Sequence, residues 1–269
     1  MPFPPILCYH KVDTRLELGF TRIGPRTFRR QVGALAREGW HAFSAADLLE
    51  HAAVPSTVYA FKAVVLSFDD GYEALAAHAF PALAEHGHRA LVFVITDYVG
   101  KDNAWDVRYG GLRFRHLDWD ALGRWQERGV IEVQSHGASH ARLTWLSDDA
   151  VAEELSRSRE TITQRLGRAP EAICYPFGAV DERVVRAARA AGYALGFAGP
   201  GAGTDGGGGG GYDALRLPRL PVYAWDPFAP PQVLRSGPMG ALARWGARTT
   251  SRIAVGTALI QRASGRRYR

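Results

Sequence analysis

Short apolar runs alternate along the chain with stretches of helical periodicity. The predicted strands are 6–9, 63–68, 90–95, 130–134, 172–175 and 193–197. Near-continuous apolar runs such as AVVLSF and ALVFVI are typical of strands that a parallel sheet buries on both faces. The predicted helices cover 25–38, 72–85 with an interruption at Pro81, 118–129, 147–167 and 181–191.

This alternation of strands and helices predicts a parallel α/β fold, either an open sheet or a barrel. In both architectures, ligands bind at the carboxyl ends of the strands. Reactive side chains directly after the predicted strands are therefore candidates for a functional site.

The amino-acid composition narrows the possible classes of protein. The chain has 269 residues, of which 46% are hydrophobic and 22% charged, so it is long and apolar enough to bury a full core. Its two cysteines are too few for a disulfide framework or a four-cysteine zinc site. Cys8 and Cys174 both lie in apolar runs and are predicted to be small buried residues.

The net charge of +6 comes from the end of the chain. Residues 237–269 contain seven arginines and no acidic residue, and the rest of the chain has 26 basic and 27 acidic residues. We therefore predict a catalytic domain over 1–236, a basic tail over 237–269 and no nucleic-acid partner. The tail fits two interpretations, a basic amphipathic helix making peripheral membrane contact and a solvated helix.

Two further predictions concern mobility and location. Segment 199–211 contains nine glycines, six of them consecutive, and is predicted to be a mobile loop that acts as a lid or is a plain flexible insertion. The first residues, MPFPP, lack the basic and apolar regions of a signal peptide, and no run is long enough to span a membrane. We predict a cytoplasmic protein, which would lie at the inner membrane surface if the tail is the membrane-contacting helix.

Two carboxylates follow the 63–68 strand, in the stretch SFDDG (67–71). Adjacent carboxylates at a strand end are costly unless they meet a metal ion, a helix terminus or a basic partner. Asp69 and Asp70 could therefore serve a metal site, or could simply cap the next helix.

Two histidines follow the 130–134 strand, in HGASH (136–140). His136 and His140 are four residues apart, a spacing that allows both imidazoles to bind one ion but that also occurs by chance. With one aspartate they would form a three-ligand zinc site that leaves a coordination position for water.

Two other strand ends carry candidate groups. His10 ends the first strand and is a candidate general acid or a buried core histidine. The stretch CYPFG (174–178) predicts a sharp turn, in which the backbone N–H of Phe177 could face an oxyanion. The remaining histidines, among them His116, lie in helical or loop contexts and receive no role.

These motifs together resemble the polysaccharide deacetylase family, the NodB-homology group of carbohydrate esterase family 4, over about residues 5–222. The resemblance implies a distorted (β/α) barrel of about seven parallel strands. It also implies that Asp69 is the catalytic base, that Asp70, His136 and His140 bind a divalent metal ion, most simply Zn²⁺, and that Tyr175 and Phe177 line the substrate groove.

The chain departs from the family pattern at two places. The usual arginine before the Pro-Tyr of the third motif is absent, and the fifth motif has LRLPR (215–219) without the usual catalytic histidine. A subgroup that acts on poly-N-acetylglucosamine of biofilms resembles this chain in its initial Tyr-His strand. The resemblance implies that His10 is the catalytic acid and that Arg219 tunes the base.

The implied function is hydrolysis of the N-acetyl group of an N-acetylhexosamine in a glycan or glycoconjugate, with a role in exopolysaccharide biosynthesis. A polymer, a lipid-linked sugar and a nucleotide-linked sugar all remain open as substrates. The two departures leave a second interpretation, a catalytically inactive relative that binds glycans. A facial-triad iron oxygenase is disfavoured because its ligands lie on an antiparallel sheet.

Overall fold

The computed structural model describes residues 3–15, 21–52, 62–104, 113–200 and 213–222. Most of the predicted glycine-rich loop and the whole predicted tail 237–269 lie outside these residues. In the part of the chain that is described, no helix is both long and apolar enough to cross a membrane.

The secondary structure follows the predicted alternation. The strands are β1 Ile6–Tyr9, β2 Lys11–Val12, β3 Arg22–Ile23, β4 Trp40–Ala42, β5 Lys62–Phe68, β6 Ala90–Val94, β7 Ile131–Ser135, β8 Ala172–Cys174, β9 Leu195–Ala198, β10 Leu217–Pro218 and β11 Leu220–Pro221. The helices are α1 Pro25–Arg37, α2 Ala45–Ala52, α3 Ala74–His78, α4 Phe80–Glu85, α5 Trp119–Glu127, α6 Asp148–Leu166 and α7 Glu182–Ala190. The predicted strands and helices are confirmed to within a few residues.

The strands form a parallel sheet in the order β10–β9–β8–β7–β6–β5–β1–β11, with β4 paired to the start of β5. β10 and β11 are two halves of one short segment, separated by Arg219 alone. Leu217 pairs with β9 at one edge of the sheet, and Leu220 pairs with β1 at the other. One segment thus holds both edges, and the sheet nearly closes into a barrel with seven strand positions, as the sequence predicts.

The central strands β1, β5, β6, β8 and β9 are buried on both faces, apart from the first residue of β5, which explains their nearly uniform apolar sequences. In β5, Val64 and Leu66 belong to one core cluster, whereas Val65 between them belongs to another. The second cluster contains Phe93 of β6 and Phe197 of β9, whose ring centroids are 5.1 Å apart although two strands lie between theirs in the sheet. This contact crosses the barrel interior, so side chains fill it.

The structure differs from the prediction in two respects. The predicted helix over 72–85 is two short helices, α3 and α4, and Pro81 lies in the first turn of α4. A proline has no backbone N–H, and it is tolerated in the first turn of a helix because the N–H groups there have no partner within the helix. Pro81 therefore fits inside α4, and the break between the two helices falls at Ala79. The short strands β2, β3, β4, β10 and β11 and helix α2 were not predicted, because their few residues carry no clear periodicity.

The close approach of β9 to the segment before β10 requires a glycine at position 196. A Cβ at Gly196 would lie 2.6 Å from the Tyr175 hydroxyl and would also meet the Leu215 carbonyl, and these two groups hydrogen-bond to each other. We expect Gly196→Ala to lower the free energy of unfolding by about 2–3 kcal/mol through overpacking, measured by urea denaturation.

The matched control is Gly123→Ala in α5, where the nearest atom to an added Cβ is 3.7 Å away. This substitution should leave the free energy of unfolding unchanged or raise it by up to about 1 kcal/mol, because alanine favours the helix. Equal effects of the two substitutions would contradict the assigned close approach.

Candidate metal and catalytic site

The candidate residues gather at the carboxyl end of the barrel. Asp69 and Asp70 directly follow β5, His10 follows β1, and His136 follows β7. Arg219 separates β10 from β11. Because the strands are parallel, residues distant in the chain meet at this end, among them Asp69 and Arg219, which are 150 positions apart.

Asp70, His136 and His140 form a buried set of three possible metal ligands. The Asp70 Oδ1 lies 3.5 Å from the His136 Nε2 and 3.7 Å from the His140 Nε2. Ligands bound at zinc distances in a tetrahedron are separated by about 3.4 Å. One carboxylate oxygen and two imidazole nitrogens are also a donor set that zinc prefers, so the residues fit such an ion.

Neighbouring groups orient the two imidazoles. The His136 Nδ1–H donates to the Cys174 carbonyl oxygen at 2.8 Å, which leaves the Nε2 lone pair directed at Asp70. The His140 ring packs edge-on against the Phe177 ring, with centroids 4.8 Å apart. Burial lowers the pKa of both imidazoles, so both are neutral near pH 7, the form in which histidine binds metal ions.

The backbone is strained at this site. Asp70, His140 and Phe177 have φ values of 68°, 65° and 61°, and no other non-glycine residue in the described ranges has a positive φ. The left-handed region is costly for residues with a Cβ, and such strain concentrates at functional sites. All three residues had been singled out from the sequence.

His116, which received no role in the sequence analysis, supports Asp70. Its Nδ1 lies 2.7 Å from the backbone carbonyl oxygen of Asp70, and its ring stacks on Tyr72 at 5.0 Å. His116 is buried, and burial lowers its pKa to about 4, so the ring is neutral and Nδ1–H is the donor. No local sequence signal identified it, because it lies in a loop far from both motifs.

Asp69 forms a buried bidentate ion pair with Arg219. The two guanidinium nitrogens Nη1 and Nη2 lie 2.6 and 2.7 Å from Oδ1 and Oδ2. Burial alone would raise the pKa of Asp69, but the charge and hydrogen bonds of Arg219 outweigh it and hold this pKa well below the usual range. Asp69 is therefore ionised at any ordinary pH.

His10 lies beside this pair and is partly accessible. Its Nε2 is 3.7 Å from Asp69 Oδ2, and its side chain is 25% exposed. Burial lowers the pKa of His10 to about 4, against the opposing charge of Asp69, so the imidazole is neutral near pH 7. His10 is thus the one candidate group that is both near the base and open to solvent.

Both cysteines contact Asp69. The Cys8 and Cys174 thiols lie 3.5 and 3.7 Å from Asp69 Oδ2. The predicted burial of both is confirmed. Burial raises the pKa of each thiol well above its usual value, so both remain protonated S–H donors.

The CYPFG stretch forms a tight turn whose two aromatic residues lie in different environments. The Tyr175 side chain is fully buried, and its hydroxyl donates to the Leu215 carbonyl oxygen at 2.9 Å. It therefore anchors the turn instead of lining an open groove. Phe177, with its left-handed φ, packs on His140, one of the three possible metal ligands.

Comparisons with known proteins agree with this fold. A family model described as polysaccharide deacetylase matches residues 55–196. The Bacillus subtilis protein YxkH, named as a polysaccharide deacetylase, is 26% identical over 195 residues, which cover 71% of this chain and 63% of that protein. A Staphylococcus aureus poly-β-1,6-N-acetyl-D-glucosamine N-deacetylase is 24% identical over 147 residues, or 51% of this chain and 47% of that protein. The chain thus spans less than two thirds of either relative.

Two solved structures share the barrel. The Streptococcus pyogenes deacetylase PplD, solved with acetate, superposes with a TM-score of 0.73 at 22% identity and covers 87% of this chain and 99% of its own. IcaB from Ammonifex degensii superposes with a TM-score of 0.66 at 22% identity, and the match covers 91% of this chain and 97% of IcaB. These likenesses establish the fold.

The Asp69–Arg219 pair has a consequence for stability. In the metal-free protein we expect Arg219→Met to lower the free energy of unfolding by about 3–5 kcal/mol at pH 7, because it leaves a buried carboxylate uncompensated. The double variant Asp69→Asn/Arg219→Met, which buries no charge, should recover most of this loss.

The loss should depend on pH with a definite sign. Arg219 lowers the pKa of Asp69 in the folded protein. The ion pair therefore stabilises the fold fully above the ordinary aspartate pKa of about 3.9, and this stabilisation is lost as the pH falls towards the lower pKa that Asp69 has in the folded protein. Without Arg219, burial raises this pKa, so the deficit of Arg219→Met should shrink as the pH falls from 7 towards 4. A deficit that does not change over this range, measured by urea denaturation, would contradict the pairing.

Proposed function

The chain belongs to the polysaccharide deacetylase family, and on this premise we propose that it is a divalent-metal-dependent hydrolase that releases acetate from N-acetylhexosamine residues of a glycan. The observation that carries this proposal is the adjacency of two sets of groups. Asp70, His136 and His140 are spaced as metal ligands. The ionised carboxylate of Asp69 and the imidazole of His10 lie beside them. We propose Zn²⁺ as the ion.

Each group has a proposed part in hydrolysis of the amide. A divalent ion held by Asp70, His136 and His140 would lower the pKa of water and polarise the N-acetyl carbonyl. Asp69, kept ionised by Arg219, accepts a proton from the attacking water. The Phe177 N–H is the proposed donor to the developing oxyanion.

His10 is the proposed acid for the leaving amine. Because its pKa of about 4 makes it neutral near pH 7, it must first gain the proton that it donates. The 3.7 Å between Asp69 Oδ2 and His10 Nε2 offers a path for that proton from water to the amine. The direct products are acetic acid and a free amine, and the acid then passes its remaining proton to the amine or to solvent, which gives acetate.

For the substrate we propose a β-1,6-linked N-acetylglucosamine polymer, in keeping with the Staphylococcus aureus relative and with exopolysaccharide biosynthesis. The assignment of 1–236 as the catalytic domain and the cytoplasmic location, with the tail at the inner membrane surface, stay predictions.

The metal site is tested by metal content. We expect about one zinc ion per chain after incubation with Zn²⁺ and dialysis, and none in the variant His136→Ala/His140→Ala, as measured by elemental analysis. The matched control is His41→Ala on the exposed face of β4, which should retain the ion. Absence of zinc from the wild-type protein would refute the metal-dependent mechanism.

Activity is tested by acetate release from β-1,6-linked N-acetylglucosamine oligomers. We expect Asp69→Asn to retain the metal ion but to lower kcat by about a hundredfold or more, the usual contribution of a general base. Binding of the oligomer by wild-type protein without acetate release would instead support the inactive glycan-binding relative.

The acid role of His10 predicts a dependence on the leaving group. His10→Gln should lower the rate on the amide substrate by about a hundredfold, but should affect the hydrolysis of p-nitrophenyl acetate much less, because a nitrophenolate leaves without a proton. Asp69→Asn should impair both reactions. Equal losses of His10→Gln on both substrates would remove His10 as the acid.

A further inference from the structure

A buried glutamate on α6 faces the loop that carries both histidine ligands. Glu154 is 9% exposed and lies on the inner face of the helix, one turn from the buried residues Val151 and Ser158. A carboxylate in such a position is costly unless its oxygens are hydrogen-bonded. Neither the family motifs nor the proposed reaction assigns it a role.

Three hydrogen bonds join Glu154 to the loop between His136 and His140. Its Oε2 accepts from the backbone N–H groups of Ala138 and Ser139, both at 3.0 Å. Its Oε1 accepts from the Ser139 hydroxyl at 2.7 Å. The side chain thus serves two consecutive residues immediately before His140.

The same face of α6 holds the start of the loop. The Ser158 hydroxyl lies 2.6 Å from that of Ser135, and the Ser135 hydroxyl accepts from the Gly137 N–H at 3.1 Å. A Cβ at Gly137 would lie 3.5 Å from Glu154 Oε2, and the residue has a φ of 77°. The loop therefore passes very close to the glutamate in a conformation that glycine favours.

A third residue of this face completes the support. Arg157 forms a bidentate pair with Asp97, at 2.6 and 3.1 Å. The Asp97 N–H donates to the Ala138 carbonyl oxygen at 3.0 Å, so Ala138 is held on both sides of its backbone. Residues 154, 157 and 158 share one helix face, and all act on the same loop.

We infer that Glu154 is a positioning residue that fixes His140 relative to Asp70 and thereby sets the affinity of the site for a divalent cation. This inference rests on the proposed metal site. His140 has a left-handed backbone with a φ of 65°, which the loop must stabilise. Without Glu154, the N–H groups of Ala138 and Ser139 lose their acceptor, and the loop gains by rearranging to find another.

The experiment measures Co²⁺ binding by the full-length metal-free protein, followed by the visible absorption of the bound ion. Glu154→Met keeps the volume of the side chain and its helix propensity but removes both acceptors. We expect it to weaken Co²⁺ binding by about tenfold to a hundredfold and to change the absorption spectrum, because the coordination geometry changes. Glu154→Gln retains one acceptor for the two N–H groups but lacks the negative charge, so it should recover most of the affinity and bind Co²⁺ about two- to threefold more weakly than wild type.

The matched controls are Glu153→Met and Glu153→Gln. Glu153 is the preceding residue of the same helix, is 69% exposed, and its carboxylate lies 3.6 Å from the Arg157 Nε. Both controls should bind Co²⁺ with wild-type affinity and spectrum. Thermal unfolding of each metal-free variant establishes a temperature at which all are folded.

The outcomes separate three cases. Weaker binding and an altered spectrum in folded Glu154→Met, with recovery in Glu154→Gln, support the inference. Wild-type affinity and spectrum in Glu154→Met, even with a lower Tm, overturn it and leave Glu154 a residue of the fold alone. Absence of Co²⁺ binding in the wild type refutes the metal site itself. If Glu154→Met does not fold, Glu154→Gln must still bind measurably more weakly than Glu153→Gln, and equal affinities overturn the inference.

Discussion

The buried ion pair between Arg219 and Asp69 is the constraint on which the arrangement of the site depends. Arg219 is the single residue between β10 and β11, where one segment holds both edges of the barrel. Its guanidinium reaches Asp69 through two short hydrogen bonds. Burying the charge of Asp69 or of Arg219 without its partner would cost several kcal/mol of stability. The segment that closes the barrel therefore also supplies the charge that keeps the proposed base ionised.

Around this pair, each proposed ligand is held through a neighbour that is not itself a ligand. The Cys174 carbonyl orients His136, and His116 supports the backbone of Asp70. Glu154 acts in the same way on the residues before His140. Such support from rigid elements keeps ligand side chains in place despite positive φ values at Asp70 and His140.

Much of this could be predicted from the sequence because the reactive residues follow apolar strands directly. The parallel order of the strands brings Asp69, Asp70, His10 and His136 together by topology alone. The supporting residues could not be predicted in the same way. His116 lies in a loop without periodicity, and its contact with Asp70 depends on the tertiary fold. Glu154 did carry a signal, an acidic residue on the apolar face of a long helix, but that pattern alone does not name its partner.

The position of Arg219 also bears on how the protein is made. Asp69 and Arg219 are separated by 150 residues, so a ribosome has synthesised all the strands from β1 to β10 before it adds the arginine. Until then the growing chain has an aspartate at the centre of an open sheet without its countercharge, and water must remain there to solvate it. Dehydration of the barrel interior is thus coupled to the arrival of its last segment. A chain that ends before residue 219 would lack both the closing segment and the countercharge, so water would remain around Asp69.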